Sequence, residues 1–405
     1  MRRTLIVLVL AFPAWPLFAT AWHPCARMIT PRMDAASAVK GDTLYVMGGR
    51  VRSGSGTGDQ GLQSVVEAYL PAEDRWVGGF PGLPAPRADM ACALIGQRIY
   101  LFGGSTADNT LSATVWSWRP GEGTWVVHAD TLPVALRGAC AVVLDGGSAL
   151  VVGGLDASGE FLATVYRYGP ATGFALEQAL SQARSVAAAG GVMGSPVITG
   201  GYFHGPLRTT EVFSDRTWVE GPGLPSARGS ALACEFGSSL ILMGGEGTEG
   251  ASRDVLVMSS ITGAWVPLEN MGVARSRMAG GTVGGYVVAA GGTGPVGYEA
   301  TGTCERADLE TVDALAHEPV GPPPLLLSVW PNPFRHEVEI SASLRVAGRW
   351  SIALHSLDGR MVCRTEGMSH EAYARFRPGA DMPTGVYMVS IDADGHVARP
   401  IMRIR

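Results

Sequence analysis

The chain has 405 residues, a formal net charge of −5, 17% charged residues, 55 glycines and 26 prolines. That balance points to many tight turns in place of long surface helices, and it gives no reason to expect nucleic acid as a partner. Six cysteines are too few for a disulfide-dense scaffold, although an exported chain can oxidise them.

At the front, Arg2 and Arg3 precede an apolar run from Leu5 to Phe18 and the small-residue stretch Ala19-Thr20-Ala21. A basic start, a short apolar core and an A-x-A site describe a secretory signal peptide over 1–21, cleaved between Ala21 and Trp22. The alternative, a transmembrane anchor, fits less well because Pro13 and Pro16 interrupt the short run. No later stretch is long and apolar enough to span a bilayer, so no transmembrane segment is expected in the mature chain.

Three landmarks then recur. Apolar segments end in Gly-Gly at Gly48, Gly103, Gly153, Gly200, Gly244 and Gly291, at intervals of 44 to 55 residues. Ahead of them stand Arg32, Arg87, Arg137, Arg184, Arg228 and Arg275, and ahead of these Trp22, Trp76, Trp125, Phe174, Trp218 and Trp265. Each count gives six units, each long enough for four short strands.

The ordered set resembles the kelch repeat, whose unit is a four-stranded propeller blade. The likeness covers roughly residues 22–312 and implies an all-β, six-bladed propeller. The first strand follows the arginine, the second ends in Gly-Gly, and the third carries Tyr69, Trp118, Tyr168 or Phe213. The fourth starts at the tryptophan. The large aromatics read as wedges between blades, with sugar platforms as the alternative. The likeness is imperfect: Met258 and Ala307 replace the third-strand aromatic in blades five and six.

Blade six lacks a tryptophan-bearing fourth strand, so the strand at 22–28 is expected to close it and leave no open blade edge. In blade one, Tyr69 opposite Trp76 sets Val66 opposite Gly79; carried to blade six, the same register sets Cys304 opposite Cys25. A disulfide there would close nearly the whole ring; two unpaired core thiols are the alternative.

The rim that carries the arginines also carries the variable loops, including GYFHGPLRT with Tyr202, Phe203 and His204. Ligand contacts on repeat scaffolds gather where insertions map. The expected ligand-binding residues are therefore Arg32, Arg87, Arg137, Arg184, Arg228 and Arg275, with Tyr202 and His204. The arginines can receive a carboxylate-bearing ligand, or they can pair with blade carboxylates such as Glu67 and Glu211 or with loop carbonyls. No cluster has metal-ligand spacing; no catalytic residue, metal or cofactor is assigned.

A Pro-rich linker at 313–325 leads to alternating segments over 326–405 that read as a small β-sandwich. Pro331-Asn332-Pro333-Phe334, then Asp358-Gly359-Arg360, then Gly385 and Tyr387 resemble, in that order, the C-terminal sorting domain of type IX secretion substrates. The resemblance implies contact with outer-membrane secretion machinery and a secreted or cell-surface location reached through the periplasm. An ordinary sugar-binding or fibronectin-like module is the alternative.

These features describe a secreted or cell-surface binding module for a glycan or protein. Kelch-like sialic-acid epimerases act on an anionic sugar with arginines and a carboxylate, so a carbohydrate-active enzyme of that type is the second reading. A structural surface-layer component is a third.

Overall fold

The computed structural model describes residues 22–308, apart from 52–60, 109, 145, 215, 262 and 295–298, together with the strands lying between 327 and 403. Compact units comprise residues 1–317 and 318–405. Ala21, the linker, Pro331 to Phe334, Asp358 and Gly359 lie outside the described residues.

The first unit holds six four-stranded antiparallel sheets. Their inner strands, Ala36–Lys40, Ala91–Ile95, Cys140–Leu144, Ala188–Val192, Leu232–Phe236 and Ala279–Val283, neighbour one another in a closed cycle around a central channel. Small residues are frequent in these strands; a Cβ on Gly280 would lie 2.0 Å from the Val288 carbonyl oxygen of the adjacent strand and 2.6 Å from Leu232 Cδ2 of the neighbouring blade.

The Gly-Gly pairs have a double requirement. Gly48 and Gly49 sit at φ 63° and 92°, a region open to glycine at no steric cost. A Cβ on Gly48 would also lie 2.4 Å from the Arg87 carbonyl oxygen of the next blade. Third-strand aromatics face the outer strand in register, Tyr69 opposite Trp76 and Phe213 opposite Trp218. The indole N–H groups of Trp76, Trp125 and Trp265 donate to backbone carbonyls of Ala26, Pro81 and Pro222, at 2.8–3.0 Å, tying each blade to the preceding linker. Trp22 does the same for blade six by donating to the Glu269 carbonyl at 3.0 Å.

Blade six is built from both ends of this unit: His23–Cys25 pairs antiparallel with Cys304–Asp308. Cys25 stands directly opposite Cys304. Both are thiols in this structure. A hydrogen bond from Cys304 holds the Cys25 thiol below its ordinary pKa and raises that of Cys304. The same strand is held by the Ala26 N–H, which donates to Asp74 Oδ1 at 3.0 Å. Tyr69 Oη donates to that oxygen at 2.7 Å.

The second unit is a five-stranded antiparallel sheet. Its long strand Val338–Ser356 pairs along one edge with Met361–Phe376. Its other edge takes Leu327–Trp330 over the first part and Gly385–Asp392 over the last. His396–Arg403 completes the sheet. Arg360 is exposed, and Tyr387 lies in register between Ser356 and Ile401.

Candidate ligand-binding site at the channel mouth

Five of the six candidate rim arginines are buried: Arg32, Arg87, Arg184, Arg228 and Arg275 keep between 1% and 6% of their surface. Arg32, Arg184 and Arg275 pair with Glu67, Glu211 and Glu305 at 3.3, 2.8 and 2.7 Å. Each glutamate also accepts backbone N–H groups from the linker entering the blade: Ile29 and Thr30, Ser181 and Gln182, Gly272 and Val273. The guanidinium, the carboxylate and the linker thus form one buried unit in which the charge is paired, while Nε of each of the three arginines is buried without a partner.

The other three blades solve the same problem without a glutamate. Where blades one, four and six have Ile29, Ser181 and Gly272, blades two, three and five have Pro84, Pro133 and Pro225. Proline has no N–H to satisfy, and the glutamate position is filled by Trp116, Tyr166 and Leu256. Arg87 accordingly lies over the Trp116 ring, 3.8 Å from its centroid, and donates to Thr114 Oγ1 at 2.6 Å. Burial without a carboxylate pushes its pKa down to about 10. Arg228 instead finds Asp254 at 2.7 Å.

In blade three the repeat position belongs to Leu136, not Arg137: the Leu136 carbonyl accepts from Gly104, as the Arg87 carbonyl accepts from Gly49. Leu136 is buried, and Arg137 is displaced by one residue onto the exposed face. Its guanidinium has no hydrogen bond or ion pair among the described residues.

Two residues before each inner strand the chain turns through the left-handed region at Asp34, Asp89, Gly138, Val186, Ser230 and Arg277, with φ from 43° to 63°. Each backbone N–H here donates to the carbonyl of the corresponding residue in the neighbouring blade, at 2.6–3.0 Å, in an unbroken circle. This circle brings Asp34, Asp89 and Arg277 to the axis although they are far apart in sequence. Arg50 joins them, with Nε 3.1 Å from Asp34 Oδ2 and Nη2 on Asp89. Arg277 Nη1 lies 3.4 Å from Asp34 Oδ1, and its Nε 3.9 Å from Glu246 Oε2. Burial and the nearby Asp89 push the Asp34 carboxyl up to about 6, against the opposing pull of Arg277 and Arg50. A carboxyl raised in the folded state stabilises most below the ordinary carboxylate pKa of about 4. That contribution is lost as pH rises through about 6.

Beside the circle opens a cavity of about 460 Å³. Gly138 and Val186 lie in its floor, Asp89, Arg137 and Arg277 supply charge, and Phe161, Tyr202 and His204 supply an aromatic wall. The Phe161 and His204 rings lie 5.2 Å apart, edge to face. Tyr202 is set by its hydroxyl, which donates to the Glu246 carbonyl at 2.9 Å, and by Gly229, where a Cβ would lie 2.3 Å from the ring.

Of the candidate rim residues, the structure brings Arg137, Tyr202 and His204 together. Sequence reasoning passed over Asp34, Asp89, Arg50, Arg277, Glu246 and Phe161. For Asp34, Asp89 and Arg277 the signal was the residue two before each inner strand, which occupies one repeat position; Arg50 and Glu246 each follow a Gly-Gly pair. No group of three His, Cys, Asp or Glu among the described residues is placed to hold a metal.

Both parts match family models. Residues 86–127 match the model of the kelch motif, and residues 328–402 that of the secretion system C-terminal sorting domain. Kelch-like protein terF of Aspergillus terreus is 28% identical over 162 residues, 39% of this chain and 34% of that protein. Kelch-like protein 35 of Mus musculus is 28% identical over 156 residues, 38% and 25% of the two chains. The matched stretches thus span no more than 34% of these relatives. The solved structure of YjhT superposes on 69% of this chain and 95% of its own with a TM-score of 0.58 at 16% identity, a likeness of fold.

Proposed function

Because this chain is a kelch-repeat β-propeller carrying a secretion system sorting domain, we propose that it is an exported binding module that takes a glycan or protein ligand at the channel mouth. The leader at 1–21 would be cut after Ala21, the chain would reach the periplasm, and the sorting domain, with Pro331 to Phe334 and Asp358 to Arg360 in its motifs, would engage the outer-membrane machinery. There the seam cysteines Cys25 and Cys304 would join. The observation that carries the ligand reading is Arg137, whose guanidinium has no partner among the described residues and faces a cavity with an aromatic wall. Guanidinium forks suit carboxylates, and aromatic faces suit the apolar side of a sugar or peptide.

The second reading, a carbohydrate-active enzyme of the sialic-acid epimerase type, draws support from the Asp34 and Asp89 pair, since a carboxyl near pKa 6 suits acid–base chemistry. A glycan array with the purified protein, followed by NMR of sialic-acid anomers, separates the two. Interconversion above the spontaneous rate favours the enzyme. Arg137→Ala should lower affinity for an array-identified anionic ligand at least tenfold while changing stability by less than about 0.5 kcal/mol. Unchanged binding by that variant removes the cavity from consideration.

A further inference from the structure

Asp34 and Asp89 come from different blades and converge on one guanidinium, that of Arg50. Their side chains keep 6% and 8% of their surface, so water does little to separate their charges. Arg277 is different: it keeps 29%, holds Asp34 on one side and faces the cavity with the other. Further neighbours include Glu246 and the Tyr202 phenol, both beside Arg277, Ser105, whose hydroxyl donates to Asp89 Oδ2 at 2.9 Å, and the titratable His204 in the wall of the same cavity. Asp34 and Asp89 thus share the charge of Arg50, and Asp34 and Glu246 share that of Arg277. Arg137 waits across the cavity.

An anion entering between Arg137 and Arg277 therefore meets a competitor already in place. It must share Arg277 with Asp34, and any share it takes leaves Asp34 buried beside Asp89 with Arg50 divided between them. Burial beside a like charge favours the neutral acid. We propose that the channel mouth binds an anionic group together with one proton taken from solvent, and that Asp34 is the seat of that proton. The inference rests on the reading of this cavity as the ligand site. It is supported by an Asp34 carboxyl that already lies at about 6 without ligand. Binding and protonation are then linked, each strengthening the other by the same factor.

Calorimetric titration of the whole protein with glucuronate, N-acetylneuraminate and sulfate, in buffers of different ionisation heat, tests this. Glucose serves as the uncharged control. Affinity should rise by up to about tenfold per pH unit between roughly pH 7.5 and 6, with close to one proton taken up per anion at the upper end. Asp34→Asn keeps the shape and tolerates the left-handed backbone. Its affinity should be flat with pH and match at about pH 7.5 what the wild type reaches in acid. Binding without proton uptake, or a slope surviving in Asp34→Asn, overturns the inference and leaves the cavity as a binding site. Absence of binding by all three anions at acid pH, or binding that survives Arg137→Ala, overturns the anion site and the inference together. Thermal melts of both variants confirm that each is folded.

Discussion

Arg184→Ala is expected to destabilise the propeller by about 3–5 kcal/mol, the usual cost of stranding one member of a buried ion pair. The substitution leaves Glu211, whose side chain keeps 4% of its surface, with only the Ser181 and Gln182 N–H groups as partners. Arg32 and Arg275 should behave alike because their glutamates make the same contacts. Blade three shows how to remove the charge at low cost: Leu136, Pro133 and Tyr166 occupy the three positions. The triple change Ser181→Pro, Arg184→Leu and Glu211→Tyr should therefore recover most of the loss, ending within about 1.5 kcal/mol of the parent. Urea unfolding of the single and triple variants decides the matter. A near-neutral Arg184→Ala would mean that these arginines are not braces, and their role as ligand contacts would return to the table.

The seam between the chain ends should be worth nearly as much. Oxidation of Cys25 and Cys304 by exchange with a disulfide donor would form one S–S bond and pass two electrons and two protons to the donor as two thiols. The bond closes a loop spanning nearly the whole propeller, so chain entropy puts its contribution at up to about 5 kcal/mol. For a domain of this size that is on the order of 10 °C in melting temperature. Mass spectrometry of the exported protein should find the two residues linked. Melting with and without reductant should show the difference in the parent and none in Cys25→Ser. Two free thiols in exported protein, or a melt indifferent to reductant, would leave the seam held by Asp74, Tyr69 and strand pairing alone.

The two predictions differ in what they ask of the chain. The cysteines face each other because a hairpin register repeats from blade to blade, and that register is legible wherever Tyr69 and Trp76 are. The same holds for the number of blades and for the all-β sorting unit. Gly-Gly pairs and tryptophans report local needs of backbone and packing, and local needs recur at fixed spacing in the sequence. Even the braces were legible in principle, since proline stands where the glutamate is missing and another residue where it is present. That pairing links positions some thirty residues apart and is seen only once both are known to touch.

Arg137 marks the limit of local reading. It fits the repeat by eye, yet its neighbour Leu136 takes the buried position, and a slip of one residue moves a side chain from brace to cavity. The mouth goes further beyond the sequence. Asp34, Asp89, Arg50 and Arg277 stand on blades one, two and six and meet only because six left-handed turns close into one hydrogen-bonded circle. Periodicity determined a six-bladed propeller, because the repeat depends on how each segment meets its own backbone and its neighbours. Which charges are buried in pairs, which guanidinium has no partner among the described residues and which carboxyl is pushed above its ordinary pKa were decided by tertiary structure, because burial and proximity across the axis set the electrostatics there.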